Sequence, residues 1–173
     1  MLVGAGLSTV ALLSLSGTTP PMRAHLRPIS ELSRSLQQQA ALLVSEGQFS
    51  EAVGYYESSI TADPRNVPSY LGLADLAQRQ DLPGQAVRYY RAALSVDPNN
   101  RTALAGQGKA LIARGALERA RDNYARLQQL CSPGGCAEMS ALSSALNGAG
   151  QRTALAAEEV LPKPVVEPSP QQR

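Results

Sequence analysis

Chemistry on a chain this small would have to be carried by few side chains, and the reactive ones are scarce. The 173 residues hold one histidine, His25, and two cysteines, Cys131 and Cys136. A serine or cysteine nucleophile needs a base within hydrogen-bond reach. His25 stands ahead of the periodic part of the chain, far from Ser140, Ser143, Ser144 and most other serines, which therefore read as solvated helix faces. Three residues of the His and Cys kind cannot complete a tetrahedral zinc site. Carboxylates are scattered singly, and the one adjacent pair, Glu158-Glu159, would point two ways on a helix, which leaves glycosidase chemistry unsupported. The glycine-rich spots, Gly4-Ala5-Gly6 and Gly134-Gly135, lack the preceding strand and the lysine of a phosphate loop. The expectation is a chain without catalytic residues, metal or cofactor, and so not an enzyme.

What Cys131 and Cys136 can do is pair with each other. In the run CSPGGC, four intervening residues with two glycines allow the sulfurs to meet. They are a disulfide candidate in an oxidising compartment and two thiols in a reducing one, and the spacing is not that of a thioredoxin-type motif. A loop so short removes little unfolded-chain entropy, so the bond would pin the segment that follows.

The elements that position these residues follow from composition and spacing. There is no Trp and one Phe, while Ala and Leu recur, which favours close-packed helices over a sandwich with bulky inward residues. Sixteen Lys and Arg against fourteen Asp and Glu give no field that would gather phosphate backbones, so nucleic acid is not an expected partner. Residues 2–15, LVGAGLSTVALLSL, form an apolar run too short to span a bilayer, closed by Ser16-Gly17-Thr18-Thr19-Pro20-Pro21. Residues 1–24 thus resemble a secretory signal, although no Lys or Arg precedes Arg23. Thr18 stands where a lipoprotein box would carry its cysteine, so lipidation is not expected. The expected location is periplasmic or exported. The alternative is a cytoplasmic or inner-membrane-anchored protein whose apolar start gives membrane association. Residues 160–173, with four prolines after Val160, read as an extended tail.

Between the ends the chain repeats. Asp63-Pro64-Arg65-Asn66 and Asp97-Pro98-Asn99-Asn100 lie 34 residues apart, the period of the tetratricopeptide repeat (TPR). In that register repeats fall at residues 33–66, 67–100 and 101–134, after a linker or helix start at 25–32. The second supplies Tyr70, Leu73, Ala74, Ala86, Tyr90, Ala93 and Pro98 at the positions the family pattern requires; Ala52 and Ala120 match Ala86 in the flanking repeats. The chain resembles the TPR family. Small residues there let the two helices of a repeat cross closely. Gly47, Gly115 and the Asp81-Leu82-Pro83-Gly84 run punctuate the hairpins, and Pro68 fits the first turn of a helix. Residues 135–159, with Ala141, Leu142, Ala145 and Leu146 at helical spacing, read as a capping helix over the third repeat. The expected fold is an all-α TPR solenoid of three helix-turn-helix repeats and a cap.

The resemblance implies a binding groove along the first helix of each repeat. Its lining positions hold Arg34, Gln37 and Val44, then Leu71, Asp75, Gln78 and Arg79, then Lys109 and Ile112. A peptide or helix would dock on Val44, Leu71 and Ile112, oriented by Asp75, Arg79 and Lys109, with Leu71, Lys109 and Ile112 forming one continuous strip. Family members that grip a C-terminal carboxylate carry Lys and Asn where this chain has Gln37 and Ala41, so that clamp is absent. The implied function is a non-catalytic protein-interaction adaptor, serving assembly of a bacterial envelope machine such as a pilus or secretion apparatus. The alternative is a cytosolic or membrane-tethered regulatory module. In either case the expected partner is a protein or peptide.

Overall fold

The computed structural model describes residues 28–131 and 133–160, the last eight as backbone only. His25, the apolar start, Ser132 and the proline-rich tail lie outside the described residues. Seven helices account for the regular structure described: α1 (Glu31–Ser45), α2 (Phe49–Ala62), α3 (Val67–Arg79), α4 (Pro83–Val96), α5 (Arg101–Ala113), α6 (Leu117–Leu130) and α7 (Ala137–Val160). The chain is an all-α TPR solenoid. Helices α1 and α2, α3 and α4, and α5 and α6 form hairpins, and α7 packs on α5 and, to a lesser extent, on α6.

Local signals account for the starts and stops. Ser30 caps α1, its side chain accepting from Ser33 N, and Asn100 caps α5 through Ala103 N. Prolines open α3 and α4, where a missing N–H costs little. The first helix of each hairpin ends at a left-handed residue: Gly47 (φ 78°), Asp81 (φ 55°) and Gly115 (φ 75°). These three stand at one repeat position, and aspartate is among the few residues with a side chain that tolerate this conformation.

Packing explains the alanine pattern. Ala52, Ala86 and Ala120 are each 0% exposed, where one helix of a hairpin crosses the other. A second close approach joins repeats. A Cβ on Gly72 would fall within the Tyr56 ring, and one on Gly106 within the Tyr90 ring. Each glycine follows its tyrosine by sixteen residues, so one repeat's tyrosine is seated on the next repeat's first helix. Tyr124 has Ser140 at that distance, and the step is not repeated.

The array closes on a polar groove. Arg121, Tyr124, Gln128, Asn147 and Gln151 line a depression of about 800 Å³ between α6 and α7. One repeat earlier, Arg121 and Gln128 correspond to Val87 and Leu94, which join the core. Asn147 and Gln151 likewise replace Ala113 and Leu117. The face between α6 and α7 is thus more polar at these places than the matching faces between the earlier repeats.

Two expectations are corrected here. The inward face of α7 is Met139, Leu142, Leu146 and Ala149; Leu142 is seated over Gly108, while Ala141 lines a trough beside α5. The serines do not all face water. Ser140 and Ser144 are exposed, but Ser33, Ser59 and Ser69 are 0% exposed. Ser33 Oγ donates to the Ser59 carbonyl (2.8 Å) and Ser59 Oγ to the Ser33 carbonyl (2.7 Å). Ser69 Oγ lies 2.8 Å from Ser59 Oγ, and Asn66 Nδ2 donates to Ser33 Oγ (2.9 Å) and Ser59 Oγ (3.0 Å). Four small polar side chains thus bond one another where α1, α2 and α3 meet, leaving only the Asn66 Oδ1 without a partner among the described residues.

A candidate partner-binding groove

Helices α3, α5 and α7 and one side chain of α4 enclose a trough. Its main part, about 370 Å³, is lined by Asp75, Gln78, Tyr90, Thr102, Ala105, Gly106, Lys109, Ala137, Glu138 and Ala141. A smaller part of about 180 Å³ continues past Gln78 and Lys109 to Asp81, Pro83, Ala110 and Ala113. The floor is made of small residues because the helices approach closely: Gly106 accepts the Tyr90 ring, and its carbonyl accepts a hydrogen bond from Gln78 Nε2 at 3.1 Å. Gln78 therefore ties α3 to α5 as well as lining the trough.

The charges are arranged along its length. Asp75 accepts from Arg79 Nε at 2.7 Å, an exposed pair one turn apart. Pairs of this kind contribute a few tenths of a kcal/mol and serve mainly to hold direction. Burial raises the Tyr90 hydroxyl to about 12, with the Asp75 carboxylate adding to the effect, and the same two causes raise Tyr56. Both phenols stay protonated across the physiological range and can donate. Lys109 is exposed and makes no ion pair among the described residues, with the carboxylates of Asp81 and Glu138 in the two parts of the trough on either side. Among the described residues no group of three or more His, Cys, Asp and Glu could hold a metal. No helix there is long and apolar enough to cross a membrane.

The structure brings Asp75, Gln78 and Lys109 together and leaves the three apolar residues out. Val44, Leu71 and Ile112 are half-buried, pack against the hydrophobic clusters and lie outside the residues that line the trough. Arg34 Nη2 donates back to the Ile29 carbonyl at 3.3 Å, and Gln37 lies on α1 away from the trough. Glu138 and Ala141 were missed as lining residues because the cap was read only as a cover. The rotation of α7, set by Leu142 on Gly108, turns them inward. Cys131 and Cys136 are bonded, with Cα atoms 5.7 Å apart.

Sequence profiles described as "Tetratricopeptide repeat" match residues 35–68 and 71–134. The chain belongs to the TPR family. Its solved neighbours share the fold at low identity. The first TPR of Spaghetti (RPAP3), bound to HSP90 peptide SRMEEVD, superposes with a TM-score of 0.64 at 22% identity, covering 72% of this chain and 95% of that one. The Sgt2 TPR domain from Aspergillus fumigatus gives 0.66 at 17%, covering 83% and 92%. The Yersinia enterocolitica type III secretion translocator chaperone SycD gives 0.59 at 19%, covering 75% and 96%. No curated protein sequence matches this TPR chain at a significant level.

Proposed function

We propose that this TPR protein is a non-catalytic interaction adaptor that holds a peptide or helix of a partner protein in the trough across α3, α5 and α7. The observation that carries the reading is the trough itself: a floor of small residues, phenol and amide donors, the carboxylates of Asp75, Asp81 and Glu138, and Lys109, which makes no ion pair among the described residues. A few placed polar groups over an otherwise plain floor fix the direction and register of a bound segment. The larger depression between α6 and α7 also carries a phenol and amides, but its cation, Arg121, is already paired with Glu118. A peptide on the Spaghetti domain and a secretion chaperone in SycD show that the shared fold is used for such work elsewhere.

We place the protein outside the cytoplasm, in assembly of a bacterial envelope machine such as a pilus or secretion apparatus. The signal-like residues 2–15 and a bonded cysteine pair support that reading. In the second reading, a cytosolic or membrane-tethered regulatory module, the same apolar run acts as an anchor. Fractionation with N-terminal sequencing separates them, and a mature start between Gly17 and Ala24 supports export. For the trough, Lys109→Glu should weaken capture of the native envelope partner about tenfold or more, with folding stability changed by less than about 0.5 kcal/mol. Arg119→Glu, exposed and outside the trough, should capture normally. Equal capture by both variants and the parent would place the binding surface elsewhere.

A further inference from the structure

The turns joining one repeat to the next are built in two ways. After α2 and α4 an extended aspartate gathers hydrogen bonds. Asp63 accepts from Ser30 N (3.1 Å) and Arg65 N (3.0 Å), and Asp97 from Asn99 N (3.2 Å) and Asn100 Nδ2 (3.1 Å). After α6 the same repeat position is Cys131, also extended (φ −93°, ψ 138°). Its partner Cys136 immediately precedes α7. Among the described residues of this third turn no side-chain hydrogen bond replaces the aspartate's. A sulfur–sulfur bond stands in that place.

The substitution matters because of what begins at Cys136. The first turn of α7 puts Ala137, Glu138 and Ala141 into the wall of the trough, opposite Ala105, Gly106 and Lys109. The fully buried anchor of α7 is Leu142, 0% exposed over Gly108, with only the partly buried Met139 packed ahead of it. Ahead of the helix, Gly134 and the left-handed Gly135 (φ 79°) give the backbone wide freedom once the covalent tie is gone. Both cysteines are only half-buried, within reach of a small dithiol.

We propose that the Cys131–Cys136 disulfide is a redox-dependent latch on the trough's third wall. Oxidised, it holds the first turn of α7 against α5; reduced, it lets that turn loosen while Leu142 keeps the rest of the helix docked, and the trough loses a side. The proposal rests on the trough being the binding site. The reductant is a dithiol. Its thiolate attacks one sulfur, breaking the S–S bond and forming a mixed disulfide, and its second thiolate resolves that intermediate. Two electrons and two protons end on the cysteine pair, and the dithiol leaves as its own disulfide.

Amide hydrogen exchange on the full chain, with and without dithiothreitol, tests the latch without any partner. Ser140 N donates to the Cys136 carbonyl at 3.1 Å, so exchange over residues 140–145 reports on the first turn of α7. Reduction, or the double change Cys131→Ser with Cys136→Ser, should speed exchange there about tenfold, leaving α2 and α3 unchanged. Reoxidation should restore protection in the parent and not in the variant. Unchanged exchange on reduction, or an acceleration spread evenly over all helices, would overturn the latch. Because this readout needs no ligand, it can fail while Lys109→Glu still abolishes capture. It can also succeed while that variant captures normally, in which case the trough reading alone is lost.

Discussion

Two turns of this molecule share three residues in four and use them differently. In Asp63-Pro64-Arg65-Asn66 the asparagine is 1% exposed, and its Nδ2 is spent on Ser33 and Ser59. Its Oδ1 has no hydrogen-bond partner among the described residues, and it does not cap α3. In Asp97-Pro98-Asn99-Asn100 the asparagine is half-exposed and caps α5, accepting from Ala103 N at 2.9 Å. The cause lies in distant neighbours. Ser33, Ser59 and Ser69 surround the first asparagine; the same repeat positions around the second are Val67, Ala93 and Ala103. Polar walls draw the amide inward, and apolar walls send it to the helix end. A motif therefore fixes the turn, while the residues it meets after folding fix what its side chains do.

The largest expected effect comes from giving both asparagines a charge. Asn66→Asp places a carboxylate among hydroxyls with no cation at hand and should cost roughly 3–5 kcal/mol at neutral pH. Asn100→Asp keeps a good N-cap at a positive helix end but loses the hydrogen bond to Asp97 and faces its carboxylate, so it should cost about 1–2 kcal/mol, well below the loss at Asn66. Chemical denaturation of the two variants decides it, and equal losses would break the comparison. Next, Ser59→Ala removes the hydroxyl shared by Ser33, Ser69 and Asn66 and should cost about 1–3 kcal/mol, read as a lower denaturation midpoint at unchanged slope.

The smallest effect sharpens the comparison in acid. Hydrogen bonds from the Arg65 side chain and backbone, and from the Ser30 backbone, lower the Asp63 carboxyl from 3.8 to about 2. A depressed carboxyl contributes stability above its ordinary value and loses it as pH falls through the folded one. The parent should therefore lose stability between about pH 4 and pH 2, and Asp63→Asn should flatten that part of the profile. A thermal melt series across this window shows whether the slope depends on Asp63.

How far the sequence carried can be judged on particular residues. The register placed Ala52, Ala86 and Ala120 at crossings that proved fully closed, because steric fit at a helix crossing leaves a periodic mark. It likewise marked Gly47, Asp81 and Gly115 as the hairpin bends. The trough was legible only in part. Asp75, Gln78 and Lys109 could be read from repeat positions, but Leu71 and Ile112 were assigned to solvent when neighbouring helices half-cover them. Glu138 escaped because the rotation of a helix outside the repeat register depends on one contact, Leu142 on Gly108, that no period announces. The serine cluster escaped for a similar reason: its members come from two repeats and meet only after folding.

The tyrosine seated on a glycine sixteen residues later has a further consequence, for how such a chain could grow. The ring sets the spacing between neighbouring repeats, so any duplicated block must bring both a ring and a seat. Residues 67–100 contain Gly72 and Tyr90, and a tandem copy of them would meet Tyr90 before it and Gly106 after it without altering the pitch. Residues 33–66 offer Tyr56 but carry Gln38 where the seat should be. A copy of that block placed behind another would push the repeats apart. The middle repeat carries both ring and seat, and the first carries only the ring.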